Sequence, residues 1–575
     1  MKGRKVLVVA PRERNVSWLE SVAVLAPMLA AWLVFGAATR YDFIWDDPLV
    51  LQQIDQMRSV GDVLVPPDIV PKFYYRPVVF LTFLLDWSLG GGRAYWFHLT
   101  VVVWHALVTG LVYLLARQLL DRRFSLEAGV AALLFAVHPV HVESVAWIAG
   151  RSDVIATAFV ILAVLIARRG SAWRGWAAGM CLLLGMLAKE VAIAGVVLIP
   201  ARDWILDRKL RLPLYVPLVV SVGIYLVMRN LGLGKVDTGL PTGAGIGDSV
   251  YAVLSAIGWY VTKIPVPFRS GAYVPEVPTN LFYASAGLVV LMATVAAVVV
   301  GRLRVVGFLL LWFVVTLAPS LLVIVRTSAS AVLAERYLYL PTVGAAILVG
   351  QALAALRSAS ARGWRIAVAL FVPIAILAAM ESAERGNVWA NDLTFWGDVA
   401  AQTPNHSMPR RELANAYMKR QRLDDAEREL LAALALPSST QDRVMSYNNL
   451  GNILLRRGDL DAAASAFEAG AALYPHNYVF NGLGRTAMRR AERAQERGDQ
   501  AEVVRQVKAA RRFLEQALAR DPDDHKSHVL LGQVLLSLGD RAGARQHLET
   551  GLRLEPRGLV ADTARQYLQQ MNAGG

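Results

Sequence analysis

One cysteine, Cys181, stands in 575 residues, which excludes an internal disulfide and a metal cage built from cysteines. Its apolar neighbours mark it as an ordinary buried thiol and leave the redox compartment open. Charge is also scarce. Asp, Glu, Lys and Arg make up 18% of the chain against 55% hydrophobic residues, a balance that belongs to a membrane chain rather than a soluble one. The net charge of +14 would suggest nucleic acid in a soluble protein. Here the arginines sit in short clusters between apolar segments, as cytoplasmic loops do, so we read them as a topology signal and expect no nucleic-acid partner. The length calls for at least two domains.

Lys2, Arg4, Lys5, Arg12 and Arg14 precede the apolar run Ser17 to Thr39. That run is longer than the apolar part of a secretory signal, so it reads as an uncleaved first span with residues 1–16 as a cytoplasmic tail. A cleaved signal, given Gly36, Ala37 and Ala38, is the alternative. About eleven spans follow from hydropathy: Ser17 to Thr39, Ala94 to Ala116, Leu126 to His138, Val154 to Ala167, Ala172 to Ala188, Val191 to Leu206, Leu214 to Met228, Leu281 to Val300, Val305 to Val325, Leu338 to Leu356 and Ile366 to Ser382. Val78 to Leu89 and Tyr251 to Ile264 read as interfacial or re-entrant helices. With the N-terminus inside, the inside connections Arg117 to Arg123, Arg168 to Arg174, Arg202 to Arg211, Arg302 to Arg304 and Arg357 to Arg365 each hold at least two arginines. The long outside connections, 40–93 and 229–280, are richer in Gly and Pro, in keeping with the positive-inside rule. An odd number of spans leaves the C-terminus outside.

After the membrane part, 17–382, and a linker, 383–410, the sequence becomes polar, Ala-rich and periodic. Gly451, Leu454, Ala463, Phe467, Gly470 and Pro475 share their spacing with Gly532, Leu535, Ala544, Leu548, Gly551 and Pro556. Ala414, Tyr417, Ala426, Leu430 and Ala433 fit the same frame, with Pro437 one place early. Another copy starts at Leu483-Gly484 and resumes at Ala510, Leu514, Ala517 and Pro522 after an insertion within 489–508. This is the tetratricopeptide pattern: small residues let two antiparallel helices approach, an aromatic or Leu fills the gap, and Pro ends the second helix. Residues 411–575 are therefore expected to form an α-solenoid, and the whole chain to be all-α. Its concave face reads as a groove for polypeptide, with a spacer as the plainer reading.

The first outside loop opens with Phe43, Ile44, Trp45, Asp46, Asp47 and Pro48. Paired carboxylates beside interfacial aromatics can be partly desolvated and raised toward the pKa of a working base. A capped turn ahead of a helix begun by Pro48 explains the same residues. A second group, His138, His141, Glu143, Arg151 and Asp153, interrupts an apolar region on the same face. Ionisable groups in a membrane are functional suspects, although helix caps and inter-helix hydrogen bonds are the plainer account. A divalent cation is an open option at His138, His141 and Glu143, but no full ligand set is visible and no cofactor is assigned. Lys189-Glu190 reads as a local ion pair or an anion contact. With Arg76 and Glu335-Arg336-Tyr337 it brings several cations to one membrane surface, as a lipid phosphate requires. Asp86, His98 and His105 read as packing and hydrogen-bonding groups, the two histidines on one helix face.

These motifs resemble the transmembrane and tetratricopeptide repeat-containing proteins, a family of protein O-mannosyltransferases within the C-type glycosyltransferases. The resemblance covers nearly the whole chain. It rests on Phe43-Ile44-Trp45-Asp46-Asp47, Tyr75-Arg76-Pro77, Phe97-His98 with His105, His138-Pro139-Val140-His141 through Glu143 to Gly150-Arg151-Ser152-Asp153, Lys189-Glu190, and Ala334-Glu335-Arg336-Tyr337-Leu338-Tyr339-Leu340-Pro341. The resemblance implies a polyprenyl-phosphate-linked sugar donor and a hydroxyl acceptor on a protein or surface glycan. It makes Asp46 or Asp47 the catalytic carboxylate, with Asp46 preferred, and Arg76, Arg151, Lys189 and Arg336 the donor-phosphate cations. His138, His141, Glu143, Asp153, Glu190, Glu335 and Tyr337 would support them. The array is short, about four repeats with one interrupted, which bears on the acceptor rather than on the sugar chemistry.

Two other functions compete: a non-catalytic membrane scaffold that recruits partners through its repeats, and a lipid or solute transporter, although no internal repeat of the spans is visible. The excess of Arg over Lys, and an end lacking an endoplasmic-reticulum retention signal, point to a bacterial inner membrane with a periplasmic array.

Overall fold

The computed structural model describes residues 17–57, 59–67, 74–168, 171–233, 245–265, 271–301, 303–326 and 333–573; the expected tail 1–16 lies outside them. The chain divides into two compact units, Met1–Phe395 and Trp396–Gly575. The described residues are helical throughout apart from loops and one antiparallel bridge between Val274 and Leu333.

In the first unit eight helices among the described residues are long and apolar enough to cross a membrane, or nine if a bent pair counts as one span. The protein is an integral membrane protein. The helix Leu281–Val300 has the ends expected of it, while the last, Ala361–Val388, runs past Ser382 into polar residues. Ala172–Ala188 keeps the ends expected of it, whereas two of the expected spans are bent or divided. Ser125–Val137 and Pro139–Ala146 meet at 50°, because Pro139 lacks the N–H that would continue the first helix. Val191 to Leu206 is divided into a 3-10 turn, the helix Ala194–Arg202 and a π-turn, which lets the buried Asp203 meet Arg202 and Arg211. The two stretches expected to be interfacial form the helices Pro77–Gly90 and Ile246–Thr262. The latter lies closely on Leu281–Val300, since a Cβ at Gly258 would fall 1.9 Å from the Tyr283 carbonyl oxygen. Cys181 is half-buried.

The second unit is a row of helical hairpins: Ser407–Lys419 with Leu423–Leu434, Thr440–Arg457 with Leu460–Leu473, Asn477–Glu496 with Gln500–Arg520, and His525–Ser537 with Arg541–Leu554, followed by Leu559–Ala573. One glycine position shows why these residue types recur. A Cβ at Gly451 would stand 2.7 Å from the Phe467 ring, at Gly484 2.8 Å from Leu514, and at Gly532 2.7 Å from Leu548. These three hairpins close by seating the large residue of the second helix on the bare backbone of the first, whereas the first hairpin has Ala414 at that position. The insertion within 489–508 makes no loop: it lengthens the third hairpin to helices of 20 and 21 residues, joined at Gly498 with φ +73°.

Candidate active site

The acidic loop is shaped by Trp45. Its φ of +52° lies in the left-handed region, which costs a bulky residue energy and persists only where the surroundings hold it. Those surroundings are aromatic: the Trp45 ring stacks on Trp147 at 5.0 Å and lies 5.4 Å from Phe395. The backbone N–H of Asp42 is anchored on the Ala390 carbonyl at 2.9 Å, and the Tyr41 hydroxyl donates to Asn387 Oδ1 at 3.3 Å. This turn separates the two carboxylates. Asp46 is exposed, and its carbonyl accepts from Leu49 and Val50 at the head of the helix Asp47–Gln56. Asp47 is buried; its Oδ2 accepts from the Ile44 N–H at 3.0 Å. Burial pushes the Asp47 carboxyl well above the ordinary carboxylate range, and the charge of Asp46 adds to the rise.

The His-Pro to Gly-Arg block folds tightly beside this loop. A Cβ at Gly150 would stand 2.7 Å from the Glu143 carbonyl oxygen, so only a glycine lets the chain double back there. His138 Nε2 lies 2.9 Å from the Ile264 carbonyl and His141 Nε2 2.8 Å from Thr342 Oγ1. Among the described residues no group of three or more His, Cys, Asp or Glu is placed to hold a metal.

Lys189 and Glu190, adjacent in sequence, do not pair with each other. Lys189 Nζ donates to Asp153 at 2.6 and 2.7 Å, while Arg76 reaches Glu190 at 3.2 Å. Arg336 bonds Glu143 through its guanidinium and, at 3.0 Å, through its backbone N–H. Asp153 acts electrostatically on Lys189, Arg76 and Arg336 alike, so the three cations share one neighbourhood. The Tyr337 ring joins them, 5.2 Å from Lys189 and 5.0 Å from Arg336. The Arg336 guanidinium also lies 5.4 Å from the Trp147 ring, and the same indole system packs against Trp45 of the acidic loop.

Arg151 departs from the expectation of a phosphate ligand. Its side chain is 0% exposed, and its two terminal nitrogens donate inside the fold, to Asp86 at 2.5 Å, Thr82 at 3.0 Å and the Phe97 carbonyl at 2.5 Å, while its Nε–H bonds to nothing among the described residues. A guanidinium so enclosed ties helices together. Glu335 is likewise taken up, by Arg385, a residue the sequence reading passed over; its mark in the sequence is an arginine near the end of the last apolar helix. The aromatic group Trp147, Trp389 and Phe395 was also passed over.

The tetratricopeptide repeat family matches residues 411–478 and again 505–571. The protein O-mannosyl-transferase Tmtc1 of Drosophila melanogaster is 39% identical over 128 residues, 22% of this chain and 15% of that protein. The protein O-mannosyl-transferase F38B6.6 of Caenorhabditis elegans is 25% identical over 387 residues, 64% of this chain and 54% of that protein. Over these stretches the chain is similar to proteins named as O-mannosyl-transferases. The matched part falls short of two thirds of either relative's length. A thermophilic TPR protein of Thermus thermophilus aligns at TM-score 0.26 and 20% identity, covering 28% of this chain and 82% of its own.

Proposed function

We propose that the membrane unit is an inverting glycosyltransferase that moves a sugar from a polyprenyl-phosphate donor to a hydroxyl of a polypeptide on the extracytoplasmic side, with the repeats recruiting that polypeptide. The observation that carries this reading is the meeting of an exposed carboxylate loop with three clustered cations through shared aromatic packing. Asp46 is the base. It takes the proton of a Ser or Thr hydroxyl as the oxygen bonds to the anomeric carbon, and the bond from that carbon to the phosphate oxygen breaks. Arg76, Lys189 and Arg336 stabilise the charge gained by the departing polyprenyl phosphate. Attack opposite the phosphate inverts the anomeric centre.

One detail bears on this division of labour. The Nε–H of Arg76, like that of Arg151, is buried and bonds to nothing among the described residues, a donor in want of an acceptor. Asp47, buried and with its carboxyl pushed above the ordinary range, shapes the loop. The names of the relatives agree with the reading. The setting is a bacterial inner membrane with the N-terminus cytoplasmic and the repeats periplasmic.

Incubating the purified protein with a panel of polyprenyl-phosphate-linked sugars tests the reading. We expect released polyprenyl phosphate with at least one donor and a hydroxyl-bearing peptide. No release with any donor, alongside retained peptide binding, would instead identify a non-catalytic scaffold.

A further inference from the structure

One pair of register positions in the helical hairpins changes its chemistry from repeat to repeat. Four places before the small residue of the first helix, and one place before the large residue of the second, stand Arg410 and Glu429, then Tyr447 and Ala466, then Phe480 and Phe513, then His528 and His547. In the first hairpin the two side chains form an ion pair, Arg410 Nη1 lying 3.0 Å from Glu429 Oε2. In the last they are two imidazoles, with Nδ1 facing Nδ1 at 2.9 Å. Their ring centres are 5.0 Å apart.

The tautomer of His528 follows from its other nitrogen. His528 Nε2 lies 2.9 Å from the Pro522 carbonyl; a carbonyl only accepts, so Nε2 carries the proton and Nδ1 turns a bare lone pair toward His547. A ring anchored through one N–H on a backbone carbonyl, with the other nitrogen free to give its lone pair, is the arrangement of a metal-binding histidine. Burial and the neighbouring His528 hold His547 below the ordinary imidazole value, opposed by Glu515 on the helix Gln500–Arg520 and Asp540 at the head of its own helix. His547 is therefore neutral at about pH 7, as a ligand must be, and the same two carboxylates favour a cation beside it. Both rings are partly exposed, so an ion can reach them.

We infer that His528 and His547 together bind a divalent transition-metal ion of the zinc or copper class, which ties the helices of the last hairpin as the Arg410–Glu429 ion pair ties those of the first. Imidazole nitrogen suits these ions, whereas magnesium and calcium take oxygen. A tetrahedral ion about 2.0–2.1 Å from each nitrogen holds them about 3.3 Å apart, so the rings open slightly to admit it. Two metal–nitrogen bonds replace two metal–water bonds, and the proton of His547 moves from Nδ1 to Nε2. Among the described residues no third His, Cys, Asp or Glu completes a cage, so water fills the remaining positions and the ion is exchangeable. The site does not depend on the sugar-transfer reading.

The test uses the full chain, without a histidine tag, in a neutral detergent. Zn²⁺ binding is measured by titration calorimetry, and the protein loaded with Cu²⁺ is examined by electron paramagnetic resonance. We expect one saturable site, nitrogen couplings from two imidazoles, and a melting temperature that rises with Zn²⁺ because the ion binds the folded hairpin. H528Q and H547Q should each weaken binding by at least about tenfold and cancel the melting shift, while H476Q, at the head of the third hairpin, should keep both. Circular dichroism checks that each variant is folded. No saturable binding by the native chain, a copper spectrum with a single nitrogen ligand, or full binding by the double variant H528Q/H547Q would each overturn the proposal.

Discussion

Lys189 and Asp153 meet with 8% and 6% of their side chains exposed, whereas Arg457 and Asp424 meet where exposures are 31% and 96%. The first kind of pair prevails in the membrane unit and the second in the repeats. A buried pair surrenders much of its Coulomb gain to desolvation, so it adds little net stability, yet losing one partner strands a charge and is costly. An exposed pair costs little to make and little to lose. The membrane unit therefore uses charge to fix positions: Asp86 with Arg151, Glu143 with Arg336 and Glu190 with Arg76 tie together segments distant in sequence. The repeats draw their stability from apolar hairpin packing.

The sharpest way to break the contrast is Asp86→Asn, which leaves the enclosed Arg151 without its counter-ion. We expect a loss of about 3–5 kcal/mol, read as thermal unfolding in detergent. The double variant D86L/R151M should recover most of that stability while lowering sugar transfer, because the pair also holds the block that carries Asp153. In the repeats, Gly484→Ala should cost about 1–3 kcal/mol by overpacking against Leu514, more than any ion pair there. Arg428→Gln, which removes an exposed partner of Asp425, should leave the melting temperature essentially unchanged.

Asp47 sharpens the comparison through pH. Its raised pKa means that the native chain holds this proton more tightly than the unfolded chain does. The stabilising contribution is complete at pH below the ordinary carboxylate range and is lost as pH rises through the raised value. Asp47→Asn removes that dependence. Melting curves taken between about pH 4 and about pH 8 should fall less steeply with pH for the variant than for the native chain; parallel curves would count against a buried, proton-holding Asp47.

The legible parts of the sequence were those set by local periodicity. Apolar length gave most of the spans, Pro139 broke the helix where a missing N–H must, and the glycine-to-aromatic spacing gave the hairpins. Pro48 did begin a helix. Partners distant in the chain were not legible. Nothing near Arg151 announces Asp86, 65 residues away, so an arginine that looked ready for phosphate is closed inside the fold. Lys189 and Glu190 likewise looked like one pair and belong to two. The left-handed turn at Trp45, which parts Asp46 from Asp47, depends on packing against Trp147 and Phe395, far along the chain.

The role of Asp46 is tested most directly by single-turnover sugar transfer with Asp46→Asn beside Asp47→Asn. Asp46 is exposed, so its replacement should leave the melting temperature in place and slow transfer by about 10²–10⁴-fold, the usual worth of a positioned general base. Transfer at the native rate by a folded Asp46→Asn protein would contradict the account.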